Sequence, residues 1–141
     1  MVITRRLGLD IGDKRIGVAL SDTMGILASP LTIIDNDDEQ QALEAIIAII
    51  NQNQVGQIVV GLPRLMSGSL GEQAEKVRAF VQRLSSLTEV PVEFRDERLT
   101  TVSAKRLMRA AGTKKSRGKT RDDAIAAALI LQSYLDEAEN R

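Results

Sequence analysis

The chain has 141 residues, 43% of them hydrophobic and 27% charged, which suits one domain spanning 1–141 and is too little for two. Nineteen basic and nineteen acidic side chains cancel, so bulk charge announces neither nucleic acid nor membrane, and any basic surface must be local. With no His and no Cys, thiol nucleophiles, disulfides, Cys/His zinc sites, Ser-His-Asp triads and imidazole-based nucleases are excluded, leaving carboxylates, amines and hydroxyls.

Residues 3–10 read as a strand, and beyond the turn chemistry of Gly12-Asp13-Lys14 residues 16–20 read as a second, hairpin-paired one. A third short strand is expected over residues 31–34, after Pro30. Asn36 is the expected cap of a helix whose first turn holds Asp37, Asp38 and Glu39 and whose apolar residues run from Ala42 to Ile50. Ile58-Val59-Val60 is a short apolar strand ending in Gly61-Leu62-Pro63. Ser69 and Glu72 have capping-box spacing, and Ala74, Val77, Val81 and Leu84 then mark one face of a helix. Residues 90–94 make another strand, 101–111 a short basic helix, 112–119 a polar loop and 122–137 the final helix.

The order β-β-β-α-β-α-β-α-α constrains the fold. Three opening strands leave no room for crossovers and must be antiparallel, whereas strands separated by helices are free to be parallel. An α/β domain with a mixed, helix-covered five-stranded sheet follows. The longest uninterrupted apolar run, Ala124 to Leu131, is eight residues, far below a membrane span, and Arg5, Arg6 and Asp10 come too early for a signal peptide. No membrane partner and a cytoplasmic location are therefore expected. Phe80, Phe94 and Tyr134 are the only aromatic residues, which favours backbone contacts over base stacking if the partner is nucleic acid.

Three carboxylates stand out. Asp10 lies where the first strand runs out, flanked by Gly8 and Gly12, which leave room for a ligand or another backbone. Glu97 follows the last strand, and the carboxyl ends of strands in open α/β sheets are where ligands bind. Asp123 begins the final helix. Thr120 and Asp123 have capping-box spacing, but Ala126, Ala127, Ile130 and Tyr134 continue from Asp123 along one helical face, which turns it toward the sheet. Each has a plainer alternative, as a turn aspartate, a solvated loop charge and a helix cap. If the three converge, mutual repulsion of about 4 kcal/mol per pair at 4 Å demands a proton or a divalent cation between them. An all-oxygen donor set selects Mg²⁺ or Mn²⁺, and with it phosphate chemistry that needs no imidazole base.

Charge is also segregated. Arg98, Lys105, Arg106, Arg109, Lys114, Lys115, Arg117, Lys119 and Arg121 lie in a stretch with no acidic residue, joining Glu97 to Asp123. Positive side chains bracketing a metal-carboxylate centre suit a polyphosphate backbone. Gly118-Lys119-Thr120 ends like a phosphate-binding loop, but Gly112 is one residue too distant and no strand precedes it, which excludes a P-loop NTPase.

With Gly8-Leu9-Asp10-Ile11-Gly12, Arg15-Ile16-Gly17-Val18-Ala19, Gly61-Leu62-Pro63, Asp96-Glu97-Arg98-Leu99-Thr100-Thr101 and Asp123 before Ala126-Ala127 in order, the chain resembles the YqgF family of RuvC-like nucleases over nearly its whole length. The resemblance implies an RNase H-like fold with helices on both faces of the sheet, and a role in maturing the 5′ end of pre-16S ribosomal RNA. It places the family's acids on Asp10, Glu97 and Asp123, and adds Arg15 to the candidate nucleic-acid contacts. The family's loop after Gly61-Leu62-Pro63 usually continues Leu-Asn-Met-Asp-Gly-Ser. Here Arg64-Leu65-Met66-Ser67-Gly68-Ser69 lacks one amide and one carboxylate of that pattern. The leading expectation is a metal-dependent nuclease on structured RNA. Resolution of junction DNA stands second, and a non-catalytic RNA-binding or assembly module is the alternative of another class. Asp10-Ile11-Gly12 also looks like the phosphate loop of sugar-kinase and actin-type ATPases, which bind nucleotide between two domains where this chain has one.

Overall fold

The computed structural model describes residues 4–63, 71–96 and 118–139, the side chains of 118–123, 138 and 139 excepted. The strands are β1 (Arg5–Ile11), β2 (Arg15–Ser21), β3 (Ala28–Asp35), β4 (Val55–Leu62) and β5 (Val92–Asp96), and the helices are α1 (Glu39–Gln52), α2 (Glu72–Ser85) and α3 (Gly118–Glu139). They form one sheet in the order β3-β2-β1-β4-β5. β1, β2 and β3 pair antiparallel, while β4 runs parallel to both β1 and β5. The mixed five-stranded sheet is thus as expected. The expected helix over 101–111 and Ser69 of the capping box lie outside the described residues.

Alternation of side chains along each strand divides the sheet into two faces. On one, Leu7, Leu9 and Ile11 of β1, Ile16 and Val18 of β2, and Ile58, Val60 and Leu62 of β4 pack with Leu43, Ile46 and Ile50 of α1 and Val77, Phe80 and Leu84 of α2. On the other, Ala19 and Val59 pack with Ala127, Ala128, Ile130, Leu131 and Leu135 of α3. Gly8 is what allows α3 so near. A Cβ at residue 8 would stand 2.8 Å from Leu131 Cβ and 2.9 Å from the Ala127 carbonyl oxygen, inside van der Waals contact.

Several boundaries differ from the sequence reading, for local reasons. Pro30 lies inside β3, opposite Ala19, where the register with β2 shifts; β3 is an edge strand, and proline is tolerated at edges and bulges because it removes no ladder bond there. Asp38 rather than Asn36 caps α1, its carboxylate accepting from the Gln41 N–H at 3.2 Å. Asn36 instead clips the β1–β2 turn: its Nδ2 donates to the Gly12 carbonyl at 2.9 Å and its backbone N–H to the Lys14 carbonyl at 2.8 Å. The face foreseen for α2 is buried at Ala74, Val77, Val81 and Leu84, with Phe80 joining it. α3 begins at Gly118, so Thr120 lies within the helix and is not its cap.

Candidate active site

Parallel strands bring their carboxyl ends to one edge of a sheet, and here β1, β4 and β5 do so at Ile11, Leu62 and Asp96. Leu9 pairs with Val60 and Val60 with Phe94, so one step further along Asp10, Gly61 and Arg95 stand side by side. Across the antiparallel ladder Asp10 faces Gly17. Asp10 therefore projects from the α3 face, half-buried, between two neighbours that carry no side chain. Gly17 and Gly61 frame the carboxylate, a role that the sequence reading missed although both glycines stand in the motifs it quoted. The turn just beyond is held closed by Asn36 and by the Gly12 N–H donating to the Arg15 carbonyl at 2.9 Å.

The course of α3 over this edge follows from its contacts. Arg6 lies over the Tyr134 ring at 6.0 Å, and Gly8 lies against Ala127 and Leu131. Moving toward the end of β1 thus means moving back toward the start of α3. Arg6 to Asp10 is about 13 Å along a strand, and the same distance back from Tyr134 reaches about residue 125 of the helix at 1.5 Å per residue. The first turns of α3 consequently lie over the edge where Asp10 sits.

The buried stripe of α3 runs through Ala124, Ala127, Ala128, Leu131 and Leu135, with Ile130 beside it, while Ala126 and Tyr134 are partly buried. The expected face began one residue earlier. Residue 123 is on the shoulder of the stripe, within about 20° of Tyr134 at 3.6 residues per turn. The Tyr134 hydroxyl accepts from Gln57 Nε2 of β4 at 3.0 Å, so this shoulder faces β4 and the β5 side of the sheet.

Of the expected acids, Asp10 alone has a described side chain, and it is engaged with a partner. Asp123 is placed by its backbone, as are Lys119 and Arg121 in the first turns of α3. Glu97, Arg98, Lys105, Arg106, Arg109, Lys114, Lys115 and Arg117 lie outside the described residues, as does the departure at Arg64-Leu65-Met66-Ser67. Among the described side chains no group of three or more carboxylates gathers closely enough to hold a metal. Arg15 opens β2, half-buried and engaged. No helix among the described residues is long and apolar enough to cross a membrane. A groove of about 360 Å³ lined by Gly12, Asp13, Asn36, Glu39 and Lys76 opens beside α1 and α2, away from the face on which Asp10 projects.

The comparisons with known proteins agree with this architecture. A protein of Thermoanaerobacter pseudethanolicus named "Putative pre-16S rRNA nuclease" is 46% identical over 138 residues, covering 97% of this chain and 99% of its own. A protein of the same name from Dehalococcoides mccartyi is 50% identical over 127 residues, covering 90% and 94%. Among solved structures, Thermus thermophilus RuvC in complex with a Holliday junction superposes with a TM-score of 0.60 at 14% identity, covering 96% of each chain. The fowlpox virus Holliday junction resolvase gives 0.57 at 15%, covering 95% and 99%. At such identities these two speak for the fold, which is RNase H-like. The family model described as "RuvX: Holliday junction resolvase" matches residues 4–137, and the chain belongs to that family of nucleases.

Proposed function

We propose that the chain is a single-domain, divalent-metal-dependent nuclease that hydrolyses phosphodiester bonds in structured RNA, its substrate being the 5′ end of pre-16S ribosomal RNA. The observation that carries this reading is the position of Asp10. It projects from the α3 face between Gly17 and Gly61, at the edge where β5 also ends and over which the first turns of α3 pass. Relatives at 46% and 50% identity bear the name of pre-16S rRNA nucleases, which supports the choice of substrate. The family description, Holliday junction resolvase, favours four-way DNA junctions as the second reading.

In this proposal Asp10, Glu97 and Asp123 are the metal ligands. The donor set fits Mg²⁺ or Mn²⁺: all three are carboxylates, and a chain without His or Cys offers no competing nitrogen or sulfur ligand. A divalent ion held there supplies Lewis-acid polarisation of the scissile phosphate. Arg15 and the basic stretch from Arg98 to Arg121 draw the phosphate backbone toward the strand ends and neutralise it. Gly17 and Gly61 add no side chain to the flanks of Asp10 within the sheet.

The test sets purified protein against matched precursor rRNA, four-way junction DNA and generic single strands, each with Mg²⁺, Mn²⁺ or chelator. Wild type cuts the precursor with either ion and not with chelator, and Asp10→Asn binds the precursor without cutting it. Full activity of Asp10→Asn, or cleavage undiminished in excess EDTA, overturns the metal centre. Preferential cleavage of the junction selects the second reading, and salt-sensitive binding with no cleavage of any substrate leaves a non-catalytic module.

A further inference from the structure

The row of residues on the α3 face at the level of Asp10 reads Gly17, Asp10, Gly61, Arg95 from β2 to β5. Two of the four carry side chains. Arg95 is two strand spacings, about 10 Å, from Asp10, close enough for a long cation to reach a bound phosphate. The guanidinium is turned elsewhere. Nε and Nη2 both donate to Ser133 Oγ, at 3.1 and 2.8 Å, and Nη1 pairs with Glu137 Oε2, leaving the Arg95 side chain 21% exposed. All three of its nitrogens are committed to the far half of α3.

The neighbours of Ser133 show what this commitment achieves. Gln132 accepts from the Ala28 N–H at 2.9 Å and donates to the Ile26 carbonyl at 2.8 Å, tying α3 to the β3 end of the sheet. Tyr134 accepts from Gln57 of β4, and Gln57 in turn accepts from Arg6 Nε of β1 at 2.9 Å. Three consecutive helix residues thus reach three different parts of the sheet. Arg95 supplies the tie to β5, the strand whose end leads directly into Glu97, and planar two-point donation fixes direction as well as distance.

We propose that Arg95 is a positioning residue for phosphodiester cleavage: by locking the end of β5, the residue before Glu97, to α3 it holds β5 and residue 123 in register with Asp10. The role rests on the nuclease reading above. Arg95 acts through the backbone of β5 and touches neither substrate nor metal.

The experiment measures Mn²⁺ binding by electron paramagnetic resonance, steady-state cleavage and melting for wild type, Arg95→Met, Arg95→Lys and Glu137→Gln. Arg95→Met lowers kcat by about tenfold or more with KM held within about twofold, and weakens Mn²⁺ binding by about tenfold. Removing a positive charge near a cation would by itself tighten its binding, so weaker binding reports lost geometry and not lost charge. Arg95→Lys keeps the charge without the fork and falls between the two. Glu137→Gln leaves Ser133 in place and gives a smaller loss of the same kind, which carries the test should Arg95→Met fold poorly. A rise in KM at constant kcat makes Arg95 a substrate contact and overturns the proposal. Lower melting with unchanged kcat and Mn²⁺ affinity makes it a purely structural tie, and overturns it as well. Equal Mn²⁺ binding by wild type and Arg95→Met refutes the positioning role alone, whereas a wild type that neither binds Mn²⁺ nor cleaves refutes the metal-centre reading and the positioning role together.

Discussion

Replacing Gly8 by alanine tests how closely α3 is seated on the sheet. The added Cβ would lie 2.8 Å from Leu131 Cβ and 2.9 Å from the Ala127 carbonyl oxygen, where carbon atoms ordinarily keep about 3.5–4.0 Å. Neither obstacle is a flexible tip: one is a side-chain root and the other is backbone, so the helix itself must lift by roughly 0.7–1 Å. Overpacking of this kind costs about 1–3 kcal/mol, while the stiffer unfolded chain returns about 0.4–1 kcal/mol. The net is about 1–2 kcal/mol of lost stability, or a melting point lower by roughly 5 °C for a domain of this size. Activity suffers more. Because α3 carries residue 123 over the edge where Asp10 sits, a shift near 1 Å lowers kcat by about 100-fold even well below the melting point. Calorimetry and single-turnover cleavage measure the two effects separately. A Gly8→Ala protein that melts at or above the wild-type temperature and cleaves at the wild-type rate refutes the close approach of α3 to β1.

Two further perturbations separate stability from catalysis. Asp38→Ala removes the side-chain acceptor at the start of α1 and costs about 1 kcal/mol; since α1 packs on the face opposite α3, chemical denaturation registers the loss while kcat stays at the wild-type value. Asp22 governs the β2–β3 turn: the Ile26 N–H at 2.8 Å, followed by that of Leu27 at 3.2 Å, holds its carboxyl below the ordinary range. A depressed folded-state pKa stabilises the protein above the unfolded carboxylate value of about 3.9 and is lost as pH falls through the folded value. Wild type therefore loses stability over that acid window by a margin that Asp22→Asn does not show, as melting followed from pH 6 down to pH 2 would record.

Much of this was legible in the primary sequence because it is local. The alternation in β1 and β2 and the 3.6-residue spacing of Ala74, Val77, Val81 and Leu84 each carry their answer within a few residues. So does the placing of Asp10 at a strand end. The α1 cap was not legible in this way. Asn36, Asp37 and Asp38 are all capable caps, and the choice of Asp38 depends on Asn36 being drawn to Gly12 and Lys14 of a turn more than twenty residues earlier. The buried stripe of α3 shares Ala127 and Ile130 with the expected face but is centred one position further on, because its alanines allow several faces of similar polarity and contact with Gly8, Ala19 and Val59 decides among them. Arg95 was invisible for the same reason. In sequence it belongs to the charged run Arg95-Asp96-Glu97-Arg98, and its partners Ser133 and Glu137 are known only once the topology lays α3 across β5.

The two faces of the sheet meet their helices in different ways. Against α1 and α2 the sheet presents leucines, isoleucines and valines, which put a close-packed layer of side chains between strand and helix backbone. Against α3 it presents Gly8, Ala19 and Val59, and the helix answers with Ala127, Ala128, Ile130, Leu131 and Leu135. At Gly8 the helix backbone stands directly against the strand, and backbone cannot repack. A helix seated in this way has one height above the sheet, and the ties from Gln132, Ser133 and Tyr134 to β3, β5 and β4 give it one rotation. Residue 123, three turns before Tyr134, inherits both constraints. In the proposed nuclease a ligand set drawn from separate strands and a helix needs its members held to a fraction of an ångström, and this seating of α3 serves that need.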